Sequence, residues 1–584
     1  MLTAGTPFVL LDDARPGGRT TLYRAPVAVV VAHVPHEVPA ALERLRDAMQ
    51  HGLHAAGYLT YEAGHALELR LAPLARANEG PLLWFGLFEH AESLTRAAFA
   101  EMLGDPAGAW VGALEPGIER GYYDAMHGRV QELIAAGDIY QANLSFRARL
   151  PVMGPPPALY ARLRDGARAG WGGIIHDGMR WLLSFSPELF FRLEEGRVEA
   201  RPMKGTTPRG ATPGEDEANA TRLAADPKER AENLMIVDLI RNDLSRVAMP
   251  GSVHVPRLFA VERYPTVQQM VSEVSATLAP GRDAVDLLRA LFPCGSITGA
   301  PKLRAMEVIH EVEADARHAY TGAIGVIGPD GDAAFNVAIR TLELEDGAEE
   351  ARLGIGSAVV ADSTADGEWR ECLAKAAFVR AGADTFDLIE TMRFDPDEGL
   401  FALDRHVARI GRSARALGFA FDRHALRNEL HTATFRLTIP ARVRLRLSRT
   451  GGTAIETAPL PAPAPGPLHV AVVPLPVDPA DFRLRHKTSD RAFYERARRA
   501  AGTDEVVFAL PDGRLTEGSF TNLFVERAGT LVTPPATLGL LPGILRGKLL
   551  DDGEAIEGEL RVEDLRDDFL LGNALRGLRP ARLA

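Results

Sequence analysis

The change of sequence pattern near residue 382 constrains the fold of this chain more than any other feature. From about residue 110 onward, strand-like runs alternate with long helical patterns until RAGAD at 380–384, and a new pattern begins at FDLIETMRF. Further on, APLPAPAPGP at 458–467 is too rich in proline for a regular element and predicts a semi-rigid connector between two lobes. The sequence therefore predicts a mixed α/β (α+β) protein with two domains, residues 1–382 (core from about 120) and 385–584 (lobes at about 385–457 and 468–584).

Composition excludes several classes of protein. The chain has 584 residues, 46% of them hydrophobic and 25% charged, with a net charge of −12, so no basic face for nucleic acid is expected. Two cysteines, Cys294 and Cys372, are too few for a disulfide framework or a CxxC metal site. No apolar run is long enough to span a membrane, and the first residues do not resemble a signal peptide, which predicts a cytoplasmic location.

Lys204 lies in RPMKGTTPRG, between a strand-like run and a glycine turn. The preceding sequence from Glu188 predicts a β-hairpin around EEG, with Lys204 leaving its second strand. Because the two ends of a hairpin are neighbours, Glu188 and Lys204 can share a pocket, and an acid beside an amine is suited to paired acid/base work. A solvated lysine, or a salt bridge at the strand ends, is the alternative interpretation.

Residues 226–246 predict a helix that presents two carboxylates on one face. Asp226 is a good N-cap, and the proline that follows it is favoured at the first helical position. Glu229 and Glu232 are three residues apart and therefore neighbours, which is mildly repulsive unless a cation lies between them. Glu229 can alternatively close a capping box with Asp226, so Glu232 is the better metal candidate.

A second helix, predicted at 365–382, repeats this arrangement. Glu368, Glu371 and Lys375 share one face of it. An ordinary Glu371–Lys375 pair on a solvated face explains two of these residues without any metal. Two helices that each offer a pair of glutamates are nevertheless suited to a hard, oxygen-preferring cation such as Mg²⁺.

Two glycine-containing stretches and one arginine indicate an anionic ligand. LFPCGSITGAPK at 291–302 and GIGSAVVADS at 354–363 lack the complete phosphate-loop and dinucleotide signatures, but both can bring backbone N–H groups close to an anion. Arg340 ends the apolar strand-like run FNVAIRT, where it can bind a carboxylate with two hydrogen bonds or form a structural ion pair.

Taken together, these segments resemble the chorismate-utilising enzymes. The matching stretches run in family order over about 120–382: SPELFF, RPMKGTTPRG, KERAENLMIVDLIRNDLSR, FPCGSITGAPK, YTGAIG, NVAIRT, GIGSAVVADS and EWRECLAKA. The resemblance implies a fold of two packed β-sheets with helices. PMKGT is most similar to aminodeoxychorismate synthase component I, whereas anthranilate synthases typically carry alanine at the position of Lys204.

The resemblance also implies roles for individual residues. Lys204 would be a nucleophile that adds to C2 of chorismate, and Glu188 would protonate the departing 4-hydroxyl. Gln141 stands where water-adding relatives carry a lysine base, so ammonia is the expected nucleophile at C4. Gln269 replaces a histidine of the anthranilate synthases, which disfavours pyruvate elimination in this domain.

The same resemblance assigns the remaining residues of the first domain. Mg²⁺ would lie on Glu232 and Glu371, with Glu229 and Glu368 alongside. The substrate would contact Arg340, Lys375, Tyr320, Gly356 and Thr206. The sequence contains no recognisable glutaminase, so ammonia is expected from solution or from a separate glutamine amidotransferase subunit. At Cys294, where glycine or alanine is common, we expect only a change in packing.

The second domain contains residues that pyridoxal phosphate requires. Lys487 lies in HKTSDRAFY, Glu517 ends a strand-like run in LTEGSFTNLFV, and Arg409 lies on an amphipathic helix at 402–419. LGLLPGILR at 538–546 is a glycine turn that leads into a helix, and the N-terminus of a helix attracts phosphate. A lysine for covalent attachment, a carboxylate for the pyridine nitrogen and a cation for the phosphate form a complete set, although Lys487 alone can equally be a surface lysine.

These segments resemble the two-lobed class IV aminotransferases. The resemblance implies that Lys487 carries the cofactor, that Glu517 pairs with the pyridine nitrogen, and that the phosphate is bound by Arg409, Thr521 and the turn containing Ile544 and Leu545. The usual opening strand of that fold is missing before FDLIETMR, so either the first domain supplies an edge or the second is trimmed. A homodimer through this domain is one expectation.

Class IV transaminases and 4-amino-4-deoxychorismate lyases are poorly separated by sequence, but the fusion favours the lyase, because the first domain would make its substrate. The expected overall reaction converts chorismate and ammonia to 4-aminobenzoate, a folate precursor, and pyruvate. Two alternatives remain open. One is an anthranilate-type synthase fused to an amino-acid transaminase, and the other is a non-catalytic chorismate-binding partner of an amidotransferase.

Overall fold

The described chain forms two compact units. The computed structural model describes residues 5–74, 76, 79–264, 267–380, 386–462, 465–566 and 568–584. Unit 1 comprises Met1–Gly104, Ala113–Val152 and Leu159–Gly382, and unit 2 comprises Asp105–Gly112, Met153–Ala158 and Ala383–Ala584. Of the join predicted at 380–384, only Arg380 lies within the described residues.

The division differs from the predicted first domain of 1–382 in two short segments, 105–112 and 153–158, which belong to unit 2. Trp110 supplies the physical reason, because it is buried in the same apolar core as Phe386 and Phe482. Sequence patterns could not show this, since a tryptophan in an irregular segment gives no indication of the core that it joins.

Unit 1 contains two antiparallel sheets. From edge to edge the first contains Gly299–Ala300, Gln141–Met153, Glu350–Val359, Thr341–Glu345, Arg180–Ser186, Trp171–His176, Phe8–Asp12, Thr20–Arg24 and Glu92–Leu94, with Glu115–Pro116 beside Gln141–Met153. The second contains Met203–Pro208, Val267–Thr277, Arg197–Ala200, Leu189–Glu194, Ala333–Val337, Ala323–Ile327, His54–Leu59, Leu83–Phe88 and Ala28–Ala32, with His254–Arg263 beside Val267–Thr277.

The two sheets pack face to face, as expected. Val9 and Ile175 of the first sheet share one apolar cluster with Tyr58 and Ile324 of the second. On the other face of the second sheet, a larger apolar cluster joins the sheet to helices that include Val38–Gln50, Pro227–Ser245 and Ala284–Leu291. The remaining α-helices before residue 380 are Arg96–Leu103, Arg120–Ala135, Pro156–Ala167, Pro213–Ala225, Lys302–Val312 and Ala365–Lys375.

The elements that carry the predicted site follow from local sequence. Asp226 caps the helix Pro227–Ser245 by accepting hydrogen bonds from the amides of Lys228 and Glu229, as its position predicts. The hairpin also forms, with Arg192 opposite Glu199. Lys204 does not leave its second strand, however, but is the second residue of the next strand, Met203–Pro208.

The predicted helix at 365–382 is shorter than expected. The α-helix covers Ala365–Lys375 and is followed by a separate 3-10 turn at Ala377–Arg380. Glu368, Glu371 and Lys375 all lie within the α-helical part, so their shared face is preserved.

Unit 2 has two sheets. The first contains Gly399–Leu400, Leu388–Asp395, Ala441–Leu447 and Thr453–Pro459. The second is mixed and contains Leu515–Gly518, Glu505–Ala509, Leu468–Pro474, Gly577–Leu583, Phe569–Asn573, Asn522–Arg527, Thr530–Thr533 and Ala555–Glu557. Because Leu515–Gly518 also pairs with Asn522–Arg527, six of its strands close into a ring. The two sheets confirm the two-lobed fold.

The helices of unit 2 are Leu403–Ala416, Arg423–Thr434, Phe482–Arg485, Ala492–Ala501 and Ile544–Asp551. The described part of the first sheet contains no strand from before residue 388. The connector predicted at 458–467 begins two residues later than expected, because residues 458 and 459 belong to the strand Thr453–Pro459. It ends before the strand Leu468–Pro474, and its residues 463 and 464 are outside the described part of the chain. No helix in the described chain is both long enough and apolar enough to cross a membrane.

Candidate active sites

One cavity in unit 1, of about 380 Å³, gathers the residues predicted for the first domain. It lies where Met203–Pro208, Pro227–Ser245 and Ala365–Lys375 approach one another. The predicted residues that line it are Glu188, Lys204, Thr206, Glu229, Glu232, Tyr320, Arg340, Gly356, Glu368, Glu371 and Lys375. Residues that are up to 187 positions apart in the chain (188 and 375) therefore meet in one space.

Lys204 and Glu188 face the same cavity, as the hairpin predicted. Burial lowers the pKa of Lys204, and the positive charge of Lys375 adds to this effect, while Glu232 and Glu188 oppose it. Glu188 is buried and accepts a hydrogen bond of 2.6 Å from the Ser296 hydroxyl. Burial raises the pKa of Glu188 despite that hydrogen bond and the nearby Lys204. Both shifts favour the uncharged forms.

Gly205 allows the strand to approach the carboxylates of the neighbouring helix. Its φ of +90° lies in the left-handed region, and a Cβ there would stand 2.8 Å from Glu229 Oε2. Glu229 therefore points toward the strand, and the helix is capped by Asp226 without the capping box that was the alternative for this residue. Burial raises the pKa of Glu229 to about 7, and repulsion from Glu232 contributes.

The other three carboxylates differ in their partners. Burial raises the pKa of Glu232. Glu371 forms the predicted ion pair with Lys375 at 2.8 Å, and this pair lowers the pKa of Glu371 against the effect of burial. Glu368 is buried, and its Oε2 has no hydrogen-bond partner among the described residues.

This donor set has the chemistry that a hard divalent cation requires. Besides Glu188, four carboxylates line the cavity; the pKa of Glu229 and that of Glu232 are raised, and Glu368 has an unpartnered oxygen. Within the described residues, they do not form a closed cluster of three or more metal-ligating side chains. The positive charge of a bound cation would offset the effects of burial and repulsion that raise the pKa of Glu229. The residues therefore fit Mg²⁺.

Cationic groups line the same cavity. Lys375 donates a 3.1 Å hydrogen bond to the Gly356 carbonyl. Arg340 has a φ of +50°, and burial lowers its pKa. No carboxylate of the described residues forms an ion pair with Arg340, so its guanidinium is available for a ligand. The buried Tyr320 packs against Gly354, where any Cβ would collide with its ring.

Sequence reasoning missed Ser296 and Asn143, which also line this cavity. Asn143 is buried, and its Nδ2 has no partner in the described part of the chain. Gln269 lines the cavity, and its Nε2 lies 3.4 Å from the Thr206 hydroxyl. Gln141 is fully buried, its amide atoms have no described partner, and it is not one of the lining residues.

Cys294 is buried beside this cavity. Its Sγ lies 3.2 Å from Ser296 Oγ, which in turn donates to Glu188. Burial raises the pKa of the thiol to about 12, so the thiol stays protonated near neutral pH. The expected change in packing at this position stays a prediction.

A second cavity, of about 250 Å³, lies in unit 2 and is lined by Lys487, Glu517, Arg409, Thr521 and Ile544. Burial lowers the pKa of Lys487 to about 7, and the nearby charge of Arg409 adds to the shift. Burial also raises the pKa of Glu517 to about 7. Lys487 is therefore not the solvated surface lysine of the alternative interpretation.

Arg409 is already bound within the protein. It is buried, and its Nε and Nη2 donate hydrogen bonds of 2.9 and 2.6 Å to Glu390, while Nη1 donates to the Pro542 carbonyl at 3.1 Å. His406, one helical turn before Arg409, also lies 2.6 Å from Glu390 through Nδ1. Burial opposes ionisation, but Arg409 and His406 hold the pKa of Glu390 well below its usual range.

Two residues that were predicted to contact the phosphate have other partners in the structure. The Thr521 hydroxyl donates to Glu505 at 3.1 Å. The Leu545 side chain does not line the cavity and packs in an apolar cluster with Phe524 and Leu549. A contact between either residue and the phosphate stays a prediction. For Leu545, only the backbone is left to make such a contact.

The remaining geometry fits pyridoxal phosphate. The N-cap of the helix Ile544–Asp551 is Gly543, which lines the cavity and approaches Asn522 so closely that a Cβ would collide with Asn522 Oδ1. Tyr494 donates a 2.5 Å hydrogen bond to Glu517 and fixes that carboxyl at the cavity wall. A helix N-terminus, a low-pKa lysine and a held carboxyl are the groups this cofactor needs.

Family models match the two parts of the chain separately. Residues 7–381 match the model described as chorismate binding enzyme, and residues 387–584 match the model described as amino-transferase class IV. These matches confirm the two resemblances inferred from the motifs.

Two curated relatives each match less than half of the chain. Aminodeoxychorismate synthase component 1 of Salmonella typhimurium is 44% identical over 265 residues, which cover 45% of this chain and 58% of that protein. Anthranilate synthase component 1 of Streptomyces coelicolor is 45% identical over 251 residues, covering 42% and 48%. The chain thus spans about half the length of these curated relatives, and identity alone does not separate the two activities.

The fold of the first part is that of a solved anthranilate synthase component I from Streptococcus pneumoniae. The two share 27% sequence identity with a TM-score of 0.53, covering 62% of this chain and 92% of that one.

Proposed function

Because the chain belongs to the family of chorismate binding enzymes, we propose that its first unit converts chorismate and ammonia to 4-amino-4-deoxychorismate. We further propose that its second unit, of the class IV aminotransferase type, removes pyruvate from that product and leaves 4-aminobenzoate. The observation that carries the proposal is Lys204 in the same cavity as Glu188, with burial favouring the neutral form of each.

These protonation states are those that the substitution at C4 needs. Lys204 Nζ would form a bond to C2 of chorismate as the two conjugated ring double bonds shift (C1=C2 to C1=C6, and C5=C6 to C4=C5) and the C4–O bond breaks. Glu188 would give its proton to the departing hydroxyl, which leaves as water. Ammonia would then add at C4 as the Lys204–C2 bond breaks, which frees the lysine.

The other lining residues would hold the charges of the substrate. Chorismate carries two carboxylates, and Arg340 and Lys375 offer guanidinium and ammonium groups to them. Glu232 and Glu371 would hold Mg²⁺, with Glu229 and Glu368 beside them. The ion would supply positive charge for the ring carboxylate that the four glutamates would otherwise repel.

In the second cavity, pyridoxal phosphate would supply an electron sink for the carbon that bears the amine. Lys487 would hold the cofactor, and once free its neutral amine would take the proton from that ring carbon. The bond between ring C3 and the enolpyruvyl oxygen would then break, which makes the ring aromatic, and the proton would pass to the methylene carbon of the released enol to give pyruvate. Glu517 would face the pyridine nitrogen, held in place by Tyr494.

The ammonia source and the assembly are part of the proposal. The relatives named component 1 support a separate amidotransferase subunit as the partner that supplies ammonia. A homodimer through unit 2 stays a prediction.

The decisive test is product identification by mass spectrometry. Purified protein is incubated with chorismate, Mg²⁺, ammonium and pyridoxal phosphate. We expect 4-aminobenzoate and pyruvate in equal amounts. Formation of 2-aminobenzoate would instead support the anthranilate-type alternative, which the similar identity to anthranilate synthase component 1 keeps relevant. Absence of any turnover, also with an added amidotransferase, would support a non-catalytic role.

A further inference from the structure

The second cavity contains more positive charge than a phosphate requires. Its described lining residues include four arginines, Arg409, Arg442, Arg491 and Arg576, against the single carboxylate Glu517. Cationic side chains that face one cavity repel one another unless anions lie between them. The excess therefore indicates that anionic groups of a ligand complete the site.

Two of the four arginines are matched by carboxylates of the protein. Arg409 is held by Glu390 through two hydrogen bonds. Arg442 donates to Glu456 at 2.9 Å. The helix N-terminus at Gly543 and the nearby Arg409 would hold the phosphate of the cofactor, so the phosphate would not require the other two arginines.

Arg491 and Arg576 have no carboxylate partner among the described residues. Arg491 is partly buried, its guanidinium stacks 4.3 Å over the ring of Tyr494, and its one hydrogen bond is a weak 3.4 Å contact to the Arg483 carbonyl. Arg576 is exposed, and its guanidinium lies 5.3 Å over the ring of Phe520. These aromatic rings position both cations without neutralising them. Arg491 lies close enough to Glu517 to lower the pKa of that carboxyl against the effect of burial, but it forms no ion pair with it among the described residues.

We propose that Arg491 and Arg576 form a recognition site for a substrate with two carboxylates. This rests on the proposed function, because the product of the first unit carries a ring carboxylate and an enolpyruvyl carboxylate. An amino acid with one carboxylate would neutralise only one of the two cations. The pair therefore selects a dicarboxylate over a monocarboxylate and separates this site from that of a transaminase for simple amino acids.

Binding of two inert probes to the holoenzyme tests the proposal without turnover. Isophthalate, with two carboxylates on one ring, is compared with benzoate by calorimetry. One additional charge-assisted contact predicts about tenfold to hundredfold tighter binding of isophthalate. Arg491→Gln and Arg576→Gln should each remove this preference, whereas Arg499→Gln, on an exposed side chain paired with Glu495, should leave it unchanged.

Arg491→Lys guards against a folding defect, because it keeps the charge and should retain part of the preference. Equal affinity for the two probes, or a preference that survives both glutamine variants, would overturn the proposal. This result is independent of pyruvate release. If isophthalate binds selectively and through the two arginines but no pyruvate is released, the dicarboxylate site is supported and the lyase activity is rejected. If pyruvate is released but binding is not selective, the lyase activity is supported and the dicarboxylate site is rejected.

Discussion

The lowered pKa of Lys487 gives the sharpest quantitative prediction. An amine must lose its proton before it can attack an aldehyde, and burial with Arg409 nearby lowers the pKa of this one to about 7. At pH 7 about half of the Lys487 side chains would be neutral, compared with roughly one in two thousand for an ordinary lysine. Lys487 should therefore combine with pyridoxal phosphate about a thousandfold more readily at pH 7 than a solvated lysine of equal intrinsic reactivity.

The assay follows the absorbance change when protein freed of cofactor is mixed with pyridoxal phosphate at pH values from 5.5 to about 9.5. We expect the rate to rise with a midpoint near pH 7 and then to level off. Lys487→Ala should abolish this phase, and Lys548→Ala, which changes an exposed lysine paired with Asp552, should not affect it. A rate that continues to rise about tenfold per pH unit up to pH 9 would refute the reasoning.

The charges of Arg409 and Glu390 predict opposite shifts of this pH midpoint. Arg409 lowers the pKa of Lys487, and Glu390 raises it. Arg409→Gln should therefore move the midpoint to higher pH, and Glu390→Gln should move it to lower pH. If both variants shifted the midpoint in the same direction, the change would reflect a general disturbance of the cavity and not the charges.

Three further substitutions test the proposed roles. Lys204→Ala should abolish formation of the amino intermediate while pyridoxal phosphate stays bound, as seen by mass spectrometry and cofactor absorbance; retained formation would defeat the nucleophile role. Lys487→Ala should stop pyruvate release and let the amino intermediate accumulate, and normal pyruvate release would reject the lyase. Glu232→Gln should raise the Mg²⁺ concentration needed for half-maximal rate by at least about tenfold, and an unchanged requirement would remove Glu232 from the metal site.

Much of the first site could be predicted because its residues are fixed by local geometry. The hairpin that starts after Glu188 returns the chain to Lys204, and spacing along two helices sets Glu232 beside Glu229 and Glu371 beside Lys375. The helical pairs are three or four residues apart, so helix periodicity determines them, and the hairpin connects Glu188 with Lys204. That the helices and the hairpin meet around one cavity came from the family resemblance and not from the periodicity.

The second site was less predictable because its decisive contacts depend on how separate elements pack against one another. An arginine such as Arg409 is a residue type that commonly binds phosphate. Its pairing with Glu390, however, depends on how a helix packs against a strand. The Thr521 hydroxyl likewise donates its hydrogen bond to Glu505, at the start of the strand Glu505–Ala509. Leu545 follows a glycine turn as expected, yet the helix phase turns its side chain into the core.

In both units an amine and a carboxyl are brought together in a cavity where burial favours the uncharged form of each. If Coulomb attraction were dominant, Lys204 and Glu188 would exist as an ion pair, with no neutral amine to attack and no proton to donate. The positive charge of Lys375 lowers the pKa of Lys204 and also that of Glu188, so it favours the neutral amine but works against the protonated carboxyl. Lys375 therefore has two effects in the cavity, since it neutralises Glu371 and at the same time lowers the pKa of the proposed nucleophile.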